Sequence, residues 1–177
     1  EALQRMQSAI ARHQNDVLGQ GIADDCRAYP FIDQVLTPAL RDLDRRGVAV
    51  DLVFPPYLMV MYYDWIERRT SNDPFAPGSI VPQMIGFKRC VLLAARPFGS
   101  HVRVHAVDAD LAITGDLANY KDSVHMLPPA AYRRVLQHVA NGDSVLTLEN
   151  FPAYRRMLET NILAVRRTPP APLKPFR

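Results

Sequence analysis

The chain has 177 residues, 48% hydrophobic and 22% charged, with a formal net charge of +3. That length suits one domain with a core of its own, and the composition is that of an ordinary globular protein. No run approaches the ~18 consecutive apolar residues of a membrane span. Residues 1–7 lack the basic start and apolar centre of a signal peptide. Nucleic-acid binding is not expected either. The arginine pairs at 45–46, 68–69, 133–134, 155–156 and 166–167 sit at helix ends or on polar helix faces, with no aromatic-interleaved basic stripe.

Over 1–16, Leu3, Met6 and Ile10 recur at helical spacing until Gly19-Gln20-Gly21 breaks the pattern, so 1–20 is read as an N-terminal helix or linker. The chain opens on Glu1 rather than Met and is expected to be a processed or truncated product. Over 24–46, Ile32, Val35, Leu36, Leu40 and Leu43 keep helical spacing. Pro38 should kink or split that helix, and Arg45-Arg46-Gly47 should end it. Residues 48–54 are short, mostly apolar and rich in valine, which predicts a buried strand, stopped by Pro55-Pro56. An aromatic helix is predicted over 57–69 and a turn-rich loop over 70–78.

Residues 80–96 predict a helix whose inward stripe runs Met84, Phe87, Lys88, Val91, Leu92, Ala95, ended by Pro97 and Gly99. Residues 101–107 alternate with period two, with Val102, Val104 and Ala106 on one face and Arg103, His105 and Val107 on the other. A turn-rich connection follows over 108–121. Pro128-Pro129 opens a helix through Ala140 that Gly142 closes; 151–165 form a last helix, and 167–177 an extended proline-rich tail. Helices alternating with buried strands predict an α/β fold over 21–166, a parallel sheet flanked by helices. Two strands are too few for such a sheet alone, so it is expected to be incomplete at its N-terminal side.

Cys26 and Cys90 form no Cys-x-x-Cys motif; one disulfide and two buried thiols both remain open. His101 and His105 would stand ~13 Å apart along a strand. No thiol or acidic ligand set accompanies them, so a surface or packing role is expected and no metal site.

In open α/β sheets, reactive groups gather at the carboxyl ends of the strands. One such place is Phe54-Pro55-Pro56-Tyr57. There Tyr57, whose ring by default packs in the core, is also the aromatic best placed to stack on a sugar. The other lies beyond Val107 and leads to Asp122-Ser123-Val124-His125. An aspartate three residues before a histidine, held in a turn, can orient the imidazole and leave its other nitrogen to act as a base. Asp122 could instead simply cap the helix that follows.

The run Gly115-Asp116-Leu117-Ala118-Asn119-Tyr120-Lys121-Asp122-Ser123-Val124-His125-Met126-Leu127-Pro128 resembles the last conserved block of the SGNH (GDSL-like) hydrolase superfamily. More narrowly, it resembles envelope-associated SGNH-like proteins linked to polysaccharide or cell-wall modification. That resemblance implies an SGNH/flavodoxin-like sheet, with Asp122 orienting, His125 as base, and Tyr57 and Tyr120 binding substrate. It implies an esterase or acyltransferase acting on an acylated envelope glycan in the periplasm or cell envelope, with no cofactor. The family's nucleophilic serine, in a Gly-Asp-Ser or Gly-Ser-Ser turn after the first strand, has no counterpart here. Ser100 follows a glycine but precedes a strand. The serine is therefore expected from outside the chain, in a missing N-terminal segment, with other envelope biosynthesis proteins as further partners. The alternative is a non-catalytic α/β binding or assembly module of an envelope polysaccharide system.

Overall fold

The computed structural model describes residues 25–59, 61–62, 80–121, 125–126 and 129–167. The segments read as an N-terminal helix, the loop over 70–78, most of the aromatic helix, Asp122 and the proline-rich tail from residue 168 lie outside them.

The first described element is a 3-10 turn, Cys26–Ala28, in which the Asp25 carboxylate accepts from the Arg27 amide. Helical winding then begins at residue 30. Ile32–Leu36 is a π-turn, continued by α1, Thr37–Arg45. The kink expected at Pro38 takes this form. Proline offers no N–H to the carbonyl one turn earlier, and the preceding turn is widened so that the helix continues rather than breaks. The helix stops where Gly47 turns to φ 69°. The Val48 amide donates back to the Leu43 carbonyl at 3.0 Å and the Gly47 amide to Asp44 at 2.9 Å, so the last carbonyls are satisfied.

β1, Val50–Phe54, follows. The chain then passes through α2, Ile80–Ala95, and a 3-10 segment, Arg96–His101, to β2, Val102–Ala106. β1 and β2 pair in parallel, with Leu52 opposite Val104. Beyond β2 come α3, Leu111–Thr114, and α4, Ala130–Asn141. Gly142, at φ 76°, ends α4 and turns the chain back along β2. It forms β3, Val145–Leu146, antiparallel to β2, before α5, Phe151–Arg167. The architecture is α/β with a mixed sheet in the order β1-β2-β3. In place of the expected all-parallel sheet, a third, two-residue strand runs antiparallel to β2.

One face of the sheet carries the core. Val102, Val104 and Leu146 pack with Leu40 of α1, with Val81, Ile85, Val91, Leu92 and Ala95 of α2, and with Phe151, Leu158 and Ile162 of α5. The alternation in β2 is as its periodicity predicts. β1 departs from the buried strand expected: Asp51 and Val53 point away from that core and are exposed. A second cluster gathers Leu58, Met61, Val107, Ile113, Tyr120, Met126, Ala131 and Val135.

The two cysteines are bridged. Cys26–Cys90 ties the first 3-10 turn to α2 across 64 residues of sequence. Beside it, the Tyr29 hydroxyl donates to the Gln83 carbonyl at 2.9 Å, and its ring meets Phe87 edge-on. Chain-entropy arguments assign a loop of that length about 4 kcal/mol. Reduction, or the double variant Cys26→Ala, Cys90→Ala, should lower the urea-unfolding free energy by about that much. A loss below about 1 kcal/mol would show that the bridge does not constrain the unfolded chain.

Candidate functional site

Pro55-Pro56 ends β1 because neither residue has an N–H to extend the ladder. The freed Pro56 carbonyl accepts from the Tyr120 hydroxyl at 3.0 Å, in a buried contact. Tyr120 reaches it from the end of a 3-10 turn, Leu117–Asn119, in which the Asp116 carboxylate accepts from the Ala118 amide. Tyr120 also bridges Met126 in antiparallel fashion, and the Lys121 amide donates to the His125 carbonyl at 2.8 Å. Tyr120, Lys121, His125 and Met126 thereby form a small paired segment fastened to the carboxyl end of β1. Within it His125 is exposed and Met126 is buried in the second cluster. Asp122, the proposed partner of His125, lies outside the described residues.

Of the two tyrosines expected to face substrate, Tyr57 is half-buried, packed against the main core. Tyr120 is buried, with its hydroxyl committed to Pro56, so it anchors the loop. Burial, and then the charge of Asp108, push both phenols above their ordinary pKa.

That charge belongs to a buried cluster just beyond β2. The Asp108 carboxylate is wholly buried and pairs with the equally sequestered Lys88 of α2. The Tyr62 hydroxyl donates to its Oδ2 at 2.7 Å and the Tyr154 hydroxyl to its Oδ1 at 2.9 Å. Lys88 Nζ also donates to the Tyr154 oxygen at 2.7 Å and stands 5.3 Å from the centroids of the Phe54 and Tyr154 rings. Burial first, and the Asp108 charge second, raise the Tyr62 and Tyr154 phenols well above their usual range. The apolar stripe read in α2 ran through Lys88, and a lysine on an inward stripe was the available signal. Asp108, in a turn 20 residues on, carried none.

A second polar set lies on the sheet face turned away from the core. Asp51 of β1 takes two hydrogen bonds from Arg103 of β2, Nε to Oδ1 at 2.7 Å and Nη2 to Oδ2 at 2.8 Å. Chiefly through these bonds, its carboxyl sits below the usual carboxylate range. His105, fully buried, has Nε2 3.1 Å from Asp51 Oδ1 and Nδ1 3.0 Å from Ser144 Oγ. The packing role expected for His105 fits its burial; its two partners were not foreseen. His101 is exposed at the other end of β2, 2.9 Å from Asp44. Ser100 lies there too, separated from the His125 loop by the length of the strands, about 16 Å. Among the described residues no three His, Cys, Asp or Glu side chains gather where they could hold a metal ion. No described helix is long and apolar enough to cross a membrane.

No protein-family model matches the chain, and no curated protein or solved structure matches it either.

Two expectations follow from the buried cluster. Asp108→Ala leaves an ammonium buried without its counter-charge and should destabilise by about 3–5 kcal/mol in urea unfolding. Adding Lys88→Met removes the stranded charge, so the double variant should be more stable than Asp108→Ala alone. Simple additivity of the two losses would rule out a coupled pair. The second expectation concerns alkali. Tyr57, Tyr62, Tyr120 and Tyr154 all have raised pKa values in the fold. Their stabilisation is complete below the unfolded phenol value of about 10 and is lost as pH rises beyond it. Absorbance at 295 nm and circular dichroism should therefore show these phenols ionising together with loss of structure. Ionisation of all seven tyrosines near pH ~10 with the fold intact would contradict their burial.

Proposed function

We propose that this chain is the aspartate–histidine part of an SGNH-like esterase or O-acyltransferase that acts on an acylated cell-envelope glycan. The observation that carries the reading is the bond from the Tyr120 hydroxyl to the Pro56 carbonyl, with the Tyr120–Met126 bridge beside it. Together they hold an exposed His125 at the carboxyl end of β1, where α/β folds assemble their reactive groups. In this reading the sheet is part of an SGNH/flavodoxin-like arrangement. A serine supplied from outside these residues attacks the ester, His125 takes its proton, and Asp122 holds the imidazole. Backbone amides stabilise the oxyanion. Tyr57 forms the sugar-facing wall, and Tyr120 fixes the loop beneath it. The chemistry calls on no metal or organic cofactor. A periplasmic or envelope location is supported by the Cys26–Cys90 bridge, since such bonds persist in oxidising compartments.

A second reading, a non-catalytic binding or assembly module of an envelope polysaccharide system, is favoured by the position of Ser100. The Gly99-Ser100 pair lies at the opposite end of the strands from His125.

Hydrolysis of p-nitrophenyl acetate by the complete gene product separates the two. Loss of a general base typically costs 10²–10⁴-fold, so His125→Ala should lower the rate by about 10²-fold or more. Equal rates would remove His125 from the chemistry and leave the binding-module reading.

A further inference from the structure

Lys88 of α2 and Asp108 beyond β2 touch across 20 residues of sequence, both withdrawn from bulk water. Lys88 Nζ contacts Asp108 Oδ2, so the carboxyl carbon lies one bond beyond the oxygen that the amine touches. Two hydroxyls complete the set. Tyr154 accepts from Nζ at 2.7 Å and donates to Oδ1 at 2.9 Å, so it bridges the amine to the other carboxylate oxygen. Tyr62 donates to Oδ2 at 2.7 Å. Lys88, Tyr154 and Asp108 therefore close a circuit of exchangeable protons in which every link is a side-chain contact and none passes through solvent.

The surroundings favour condensation of this pair. In water, hydration of the ammonium and the carboxylate holds them apart from their amide. Burial removes that hydration and penalises both charges, whereas an amide and a released water carry none. The Phe54 and Tyr154 rings, with centroids 5.3 Å from Nζ, attract an ammonium only modestly, and they wall the amine off from the water that would reverse the bond. Contact between amine and carboxyl offsets the low reactivity of an acid toward an amine. Burial first, and the Asp108 charge second, hold the Tyr62 and Tyr154 phenols above their usual range, so each passes a proton on only as it gains another. Tyr57, half-buried, also feels the Asp108 charge, which sets a partly exposed side chain beside the pair and gives a released water its exit.

We propose that Lys88 and Asp108 condense into an isopeptide bond, a self-made crosslink between α2 and the turn after β2. The ion pair described above is the reactant. The Lys88 ammonium gives a proton to the Tyr154 oxygen as the Tyr154 hydroxyl gives its own to Asp108 Oδ1, leaving a neutral amine beside a carboxylic acid. Nζ adds to Cγ while the Tyr62 hydroxyl stabilises the negative charge on Oδ2. A second proton from Nζ follows the same path to Oδ1, the bond from Cγ to Oδ1 breaks, and Oδ1 leaves as water. Oδ2 stays as the amide oxygen, still bonded to Tyr62. Of the three ammonium protons, one remains on the amide and two depart with the water. His125 takes no part, so the crosslink stands or falls separately from the function proposed above.

The test is intact mass spectrometry of the denatured 177-residue chain. Its mass should fall short of the disulfide-bonded sequence by one water. Trypsin should leave Lys88 uncut, with its peptide joined to the one that carries Asp108. Lys88→Met and Asp108→Ala should each show the full mass of their own sequence. Tyr154→Phe removes the proton bridge, so chain made by cell-free synthesis should close about 10²-fold more slowly than the parent. Circular dichroism of each variant distinguishes lost chemistry from lost fold, and the mass of the parent decides the matter even where a variant fails to fold. A parent chain at full mass, a water loss mapped to another residue, or a folded Tyr154→Phe protein that closes at the parental rate would overturn the proposal.

Discussion

An ammonium and a carboxylate withdrawn from water must meet each other and fill their remaining hydrogen-bonding positions, or the fold cannot close over them. Lys88 and Asp108 meet that condition by recruiting two tyrosines. Both oxygens of Asp108 are engaged, and Lys88 adds the Tyr154 hydroxyl and the Phe54 and Tyr154 ring faces. The four polar groups come from α2, the turn after β2, α5 and the helical turn at Tyr62, so a single cluster sets how these segments sit together. A shift of α5 along its axis would take the Tyr154 hydroxyl away from Asp108 and Lys88, whereas the apolar contacts of Leu158 and Ile162 could readjust. Hydrophobic burial supplies most of the stability in a core of this kind, while the ion pair penalises alternative packings of it.

The same cluster reaches the surface by electrostatics and by geometry. Burial, and then the negative charge of Asp108, raise the phenols of Tyr57 and Tyr120, so both keep the hydroxyl proton into alkali. Tyr120 uses that proton on the Pro56 carbonyl. The segment that presents His125 is therefore tied to the strand end by a bond from a buried phenol. Asp108 acts on Tyr120 through its charge, and Tyr120 holds the segment that carries His125 through its bridge to Met126.

Local features of this fold were legible in the sequence wherever a residue acts on its own neighbours. Gly47 and Gly142 stop helices by taking positive φ, Pro38 perturbs the helix around it, and Val102, Val104 and Ala106 alternate into the core. What escaped depends on partners far along the chain. β3 is two residues long and has no periodicity to detect; it is a strand only because β2 lies beside it. Asp51 and Val53 lie in a run apolar enough to suggest burial, yet their face of β1 is open. Whether Cys26 meets Cys90 depends on how α2 docks, which spacing does not reveal. Lys88 lay visibly on an inward stripe, but only the folded chain brings Asp108 to it. At the candidate site, Tyr57 and His125 were legible as strand-end groups. The commitment of Tyr120 to Pro56 was not, because one residue of that pair contributes only a backbone carbonyl.

His105 and His125 occupy opposite environments on one small sheet, and that contrast bears on what each can do. His125 is exposed on a loop, so water has access to its ring and any partner must be held there by the loop itself. His105 is enclosed between a carboxylate fixed by arginine and a serine hydroxyl, so its hydrogen bonds are preorganised. A ring held between two fixed partners ties β1, β2 and the turn before β3 together. The two differ in access, which the turn after α4 and the loop fastened by Tyr120 impose separately.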